Sequence, residues 1–290
     1  MSEAYTLETA YKFAKSTLKT MYGDQGEVAV PTIISMYQSG SRYVGFHTDK
    51  SDYDYIALCL PSKQMMYNGD NIAGKILANS AVDGTKLEVR LVDVRDYIHR
   101  LTNSLLQEIQ MLYAKTDQVY VVPFSEHNSL VAEEVQDYLH ELTKERDSLA
   151  LLDPERFFHS LFGQMQTHLL RGEKALREEK DWERVVKHGV HVEYMTELIH
   201  GVYNGEPLFP MLTYSQLVTD NIVRNRETAT EYTANISYKM ARQNLDVFAG
   251  ENKYKSFFRF EAEAHKTENE KKAKELKGTL RDILLGGYGE

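Results

Sequence analysis

The chain has 290 residues, 42% of them hydrophobic and 27% charged, with a formal net charge of −9. That length buries a substantial core and allows one large or two smaller domains, while the acidic balance excludes a chain that coats nucleic acid non-specifically, though not a local basic groove. Cys59 is the single cysteine, no apolar run reaches the roughly 18 residues of a membrane span, and the N-terminal stretch lacks a signal-peptide core. A soluble cytoplasmic protein with no membrane partner is expected.

Residues 6–22 place Leu7, Tyr11, Ala14, Leu18 and Met21 at helical spacing, with Thr6 as N-cap, Glu8 in the first turn and Gly23 as a stop. Thr9 stands where a capping box needs Glu or Gln. After turn residues at 23–26, VAVPTIISMYQSG is rich in β-branched side chains; Pro31 marks a strand edge or start, and 32–37 forms the strand. Gly40-Ser41 ends it, SRYVGF opens a short helix or turn, and YDYIALCL at 53–60 is the next strand. Residues 61–84 concentrate Pro, Gly, Asn and Asp and read as a loop. KLEVRLV at 86–92 alternates as a third strand, and one helix with an apolar stripe runs on from Asp93 through VRDYIHRLTNSLLQEIQMLYA. Beyond 117, QVYVVPF is a further strand or a buried connector. Amphipathic helices follow near 126–149, 154–177, 182–204 and 214–245, and 261–285 reads as an exposed charged helix. The organisation is a small α/β unit, 1–115, followed by a mainly helical region, 116–290.

Asp52 and Asp54 point the same way from their strand, about 6 to 7 Å apart. Side-by-side carboxylates repel, and a divalent cation is the usual reason to keep them, against the plainer alternative of a solvated strand end. Ile56, Leu58 and Leu60 share their face, so it is a core floor at one end and a polar site at the other. Three features favour a site: Gly40-Ser41, where backbone and hydroxyl can approach phosphate; Gly45, which leaves room; and Glu88, a third carboxylate 34 residues after Asp54. Asp93 is a rival third acid but suits an N-cap better. Lys187, His188 and His191 form a K-H-x-x-H cluster without an obvious third zinc ligand, so ordinary helix-face side chains are the plainer reading and a phosphate or base contact the better functional one. Between 221 and 259, Arg224, Arg226, Lys239, Arg242, Lys253, Lys255 and Arg259 interleave with Tyr232, Tyr238, Phe248, Tyr254 and Phe258. Such a pattern can track a single strand, but the acidic residues among them favour a solvated helical face with a core stripe.

Gly40-Ser41 followed by Ser51-Asp52-Tyr53-Asp54 resembles the signature of the polymerase-β-like nucleotidyltransferase superfamily, most closely a group of predicted nucleotidyltransferases of bacteria and bacteriophages. LEVRLVDVRDYI and NSLLQE carry the likeness onward over residues 32–112, with a weaker echo in KHGVHVEYMTELIHGVYNGE. Two departures stand out: Ser104 replaces a usual proline, and Tyr194 a usual arginine. The resemblance implies an α+β fold, a small mixed β-sheet nucleotidyltransferase core with flanking helices, followed by a helical C-terminal region. It implies transfer of a nucleoside monophosphate from an NTP to an acceptor, which is an RNA or tRNA end, a protein or a small molecule, in the cytoplasm (the host's, if phage-encoded). Asp52, Asp54 and Glu88 would be the catalytic acids holding two Mg²⁺ ions, with Mn²⁺ a substitute. Gly40, Ser41, Arg42, Gly45, Ser51, Lys187, His188 and His191 would contact the nucleotide and its phosphates. The alternatives are a catalytically silent, antitoxin-like or inhibitor-like binding protein, and an Asp-x-Asp metal-dependent glycosyltransferase, which Gly-Ser at the preceding strand end disfavours.

Overall fold

A computed structural model of the chain describes residues 5–22, 30–72, 74–80 and 85–289. The turn and helix stop expected at 23–26 lie outside them. Helix α1 (Leu7–Tyr22) starts at Thr6, whose Oγ1 accepts from the Thr9 amide at 3.1 Å. β1 (Thr32–Gln38) follows Pro31, so the missing proline donor falls just outside the ladder. A one-turn helix α2 (Gly40–Val44) leads to β2 (Tyr53–Leu60), and then, where a loop is expected, α3 (Lys63–Asn68) and β3 (Ile76–Ser80) appear. Ser62 accepts from the Met65 amide and Gly69 closes α3 in the left-handed region, so the turn residues that suggest a loop are the caps of a short helix. β4 (Lys86–Asp93) completes the centre of the sheet.

The helix expected from Asp93 onward is two helices, α4 (Val94–Leu101) and α5 (Leu106–Leu112). Asn103 donates to the His99 carbonyl, and Ser104 takes a left-handed φ of 52°, which breaks the α-helical ladder. β5 (Val119–Val121) then pairs with β1 from beyond residue 115. Two short helices, α6 (Phe124–His127) and α8 (Arg146–Leu149), flank α7 (Leu130–Lys144). The long α9 (Pro154–Lys174) and α10 (Trp182–Tyr203) are joined by a π-helical turn. After α11 (Leu208–Met211), the segment expected as one helix over 214–245 splits into α12 (Gln216–Glu227) and α13 (Glu231–Gly250), because Thr230 caps a new start. α14 (Asn252–Ala264) and α15 (Lys266–Gly289) end the chain.

The architecture is α+β: a small five-stranded mixed sheet, order β3-β4-β2-β1-β5, followed by a helical C-terminal region. Among the described residues only the β2–β4 pair is parallel, which puts the C-terminal ends of both strands at the same end of the sheet. One face carries Ile34, Ile56, Leu58, Leu60 and Val92 into a core shared with the helices, while the other carries Tyr55, Ala57, Cys59 and Val89 against α1. α15 is not an exposed helix throughout. Leu276, Leu280 and Leu284, spaced at i and i+4, are buried where it packs on α7 and α4. No described helix is long and apolar enough to cross a membrane.

Candidate active site

The site begins where β1 runs out. The Ser39 amide donates to the Asp54 carbonyl at 2.9 Å, and Gly40 then turns with φ +66° directly against the Asp54 side chain. A Cβ at position 40 would stand 2.4 Å from Asp54 Oδ2, so only glycine lets the backbone lie there. The Gly45 and Phe46 amides both close back on the Ser41 carbonyl at 3.0 Å, which leaves Ser41 buried under the turn. A Cβ on Gly45, itself at φ +100°, would come 3.1 Å from Thr219 Oγ1 on α12. Arg42 and Ser51 have local work. The Arg42 guanidinium donates to the Ser51 and Asp52 carbonyls at 2.9 and 3.2 Å and lies 3.7 Å over the Tyr53 ring. Ser51 Oγ accepts from the Thr48 amide at 2.9 Å. Both residues shape the loop that delivers Asp52.

Asp54 and Glu88 are register partners across the parallel β2–β4 pair, so their side chains leave the same face side by side. Asp52 lies one residue outside β2, and its Oδ1 accepts from the Lys86 amide at 3.2 Å. Burial raises the pKa of Asp54; Lys187 opposes this, and Glu88 and Asp52 reinforce it. The Lys187 ammonium is pushed down by burial and by Arg226, with Asp54 and Asp52 pulling the other way. Among the described residues, no three His, Cys, Asp or Glu side chains already enclose a metal position. The donors are nonetheless all hard carboxylate oxygens, the set that Mg²⁺ prefers. Asp93 is elsewhere. It pairs with Cys59, five residues and about 16 Å along the strand from Asp54, caps α4 through the Arg95 amide and holds the Arg95 guanidinium at 2.7 Å.

No family model and no curated protein matches the chain. Among solved structures it is similar to a nucleotidyltransferase-like protein from Exiguobacterium sibiricum 255-15, at 12% identity and a TM-score of 0.33, over 83% of this chain and 78% of that chain. At that distance no activity transfers.

The helical wall of the site is α10. Lys187 lies within electrostatic reach of Asp54 and Asp52, but His188 and His191 turn to a partner the sequence pattern does not flag, His168 on α9. The Nδ1 atoms of His168 and His188 are 3.0 Å apart, and the His191 ring stacks on His168 at 4.1 Å and meets Phe46 edge-on at 4.8 Å. Burial and the neighbouring cations lower all three, His168 to about 4 and His188 to about 3. They are therefore neutral at pH 7 and offer hydrogen bonds and stacking rather than charge. Arg226, buried, donates to Glu183 at 3.0 Å, and its terminal nitrogen also reaches the Phe46 carbonyl. Of the aromatic residues interleaved with the C-terminal cations, Phe248, Tyr254 and Phe258 are buried, and Arg242, Lys253 and Arg259 pair with acids. That stretch is a core stripe with a solvated face. Tyr194 donates to the Leu212 carbonyl and accepts from Gln110, both at 3.1 Å.

Proposed function

We propose that the protein is a Mg²⁺-dependent nucleotidyltransferase that moves a nucleoside monophosphate from an NTP to a hydroxyl acceptor. One observation carries this reading: Asp54 and Glu88 stand in register, with the bare backbone of Gly40 against Asp54. Asp52, Asp54 and Glu88 would hold the divalent ions, which when bound neutralise the triphosphate and the charge developing on it. Ser41, the adjacent backbone and the Lys187 ammonium orient the β- and γ-phosphates. Glu88, free of the backbone hydrogen bond that engages Asp52, takes the proton of the attacking hydroxyl. The acceptor oxygen bonds to the α-phosphorus, the α–β bridging bond breaks, and pyrophosphate leaves with its electron pair.

The test is label transfer from α-³²P-NTPs into host RNA, protein and small-molecule fractions. Wild type should transfer label only with Mg²⁺ or Mn²⁺, and Asp52→Ala with Asp54→Ala should fall to background while keeping a cooperative unfolding transition. Full activity in the double variant would overturn the site assignment, and a stoichiometric complex without transfer would favour a silent binding protein.

A further inference from the structure

Glu108, on α5, is wholly buried, yet only half of its carboxylate is engaged. Oε1 meets the Arg100 guanidinium at 3.4 Å, while Oε2 has no hydrogen-bond partner among the described residues. Leaving such an oxygen bare costs about 1–3 kcal/mol, and native proteins keep few of them without a reason. Here the surroundings supply one. Glu108 lines a cavity of about 340 Å³ that starts at Ser39 and Gly40 and passes between α5, α9 and α10. Arg90, which also lines it, stands two residues beyond Glu88 on the same face of β4. The cavity thus adjoins the carboxylates on the Glu88 side, and its size suits a small-molecule site.

The walls select the occupant. Arg100 already balances Glu108, and with Arg90 nearby a cationic ligand gains little from one carboxylate. A phosphate would face Glu108 itself. Gln107, Gln110 and Gln164 line the remainder with two neutral imidazoles, His168 and His191. The Gln107 carbonyl already accepts from Arg90, and the Gln110 and Gln164 amides donate to Tyr194 and Ser160. The wall therefore offers the Gln107 amide as donor and the Gln110 and Gln164 carbonyls as acceptors, which matches a planar, uncharged group that both donates and accepts. A nucleobase is such a group, and its N–H is what Oε2 lacks.

We propose that this cavity is the acceptor pocket, that it takes the base of a nucleoside, and that Glu108 is a specificity-determining residue reading an N–H on that base. The inference rests on the nucleotidyltransferase reading above, and it directs a sugar hydroxyl toward Glu88. A free nucleoside and the last nucleotide of an RNA strand present the same chemistry.

Calorimetric titration of the full chain tests it, using adenosine, guanosine, cytidine and uridine singly, a pentaribonucleotide with a free 3′-hydroxyl, and Mg·ATP. At least one nucleoside should bind, Glu108→Gln should weaken it about tenfold or more, and Met195→Trp, which fills the cavity, should abolish it. Mg·ATP binding should survive both changes. Tighter binding of the pentanucleotide than of its nucleosides identifies a strand end as the source; equal binding identifies the free nucleoside. Gln164→Leu, at a half-buried lining position, provides the same comparison should Met195→Trp not fold. The proposal is overturned if neither nucleosides nor strand bind wild type, if the variants bind them undiminished, or if ATP displaces them, since the donor's own base would then occupy the pocket. Wild type that binds nucleosides through Glu108 but never Mg·ATP sinks the transferase reading instead and leaves a nucleobase pocket standing.

Discussion

At position 40 the backbone needs a positive φ, and the space beside it is filled by the Asp54 carboxylate, so two independent constraints fall on one residue. Gly40→Ala should therefore destabilise the fold by about 1–2 kcal/mol and displace Asp54, cutting label transfer by roughly a hundredfold. Urea unfolding and the transfer assay measure the two effects, and an alanine variant with unchanged kinetics would refute the coupling. Asp54 itself should trade stability for function. Its pKa is raised chiefly by burial, so at neutral pH the ionised form is the one the fold disfavours. For a raised carboxyl the stabilising contribution is present below the unfolded value near 3.8 and is lost as pH climbs through the folded one. Asp54→Asn should raise the urea midpoint at pH 7, and the gap from wild type should close toward pH 4. An asparagine variant less stable than wild type at pH 7 would mean that the Lys187 attraction outweighs burial. The strands that carry Asp54 and Glu88 were legible in the sequence because their apolar neighbours alternate. Glu108 as a half-satisfied group was not, since its bare oxygen is defined by what α9 and α10 fail to place beside it.

At the scale of elements, the junction between α4 and α5 shows how one residue's conformation directs a helix. Ser104 sits at φ 52°, its amide donates to the Leu101 carbonyl at 2.8 Å, and its hydroxyl accepts from the amide of Asp153, the N-cap of α9. Proline cannot reach that φ and has no amide to give. Ser104→Pro should cost about 3 kcal/mol or more, whereas Ser104→Gly keeps the conformation and should lose only about 1 kcal/mol with the hydroxyl. Denaturant midpoints for the pair decide it, and a proline variant as stable as wild type would require a different local backbone. An apolar stripe running unbroken past Asn103 concealed this break, because periodicity reports which side is buried and not whether the ladder continues. The split at Thr230 did leave a trace, a threonine placed to cap, in the short TAT run between α12 and α13. β3 and α3 left less, being brief and edged by the residues that also make loops.

Across the whole molecule, one core runs from Ile34 on the sheet through Phe157 and Leu198 to Phe258 and Leu284. The wall of the candidate site is therefore part of the packing that holds the helical region to the sheet, and the histidine seam between α9 and α10 lies beside it. Such a seam is invisible along the sequence, where His168 and His188 are twenty residues apart and His168 belongs to no motif. Its effect should appear in the pH dependence of global stability. Burial lowers His168 to about 4 and His188 to about 3; Arg171 and Lys187 also lower both, and His168 and Arg184 act further on His188. A depressed imidazole binds its proton more weakly folded than unfolded, so its contribution is complete above the unfolded value of 6.5 and drains away as pH falls toward the folded one. For His168 alone, 6.5 to about 4 corresponds to about 3 kcal/mol, an upper bound because the two sites do not titrate independently. Urea unfolding at pH 7.0, 5.5 and 4.5 should show stability falling by a few kcal/mol across that window. Carboxylates also titrate below pH 5, so the diagnostic quantity is the difference from His168→Asn with His188→Asn, a pair that keeps neutral polar side chains at the seam. The double variant should lose less stability than wild type between pH 7.0 and 5.5, where carboxylates contribute little. Parallel curves over that interval would show that the seam carries no linked protons.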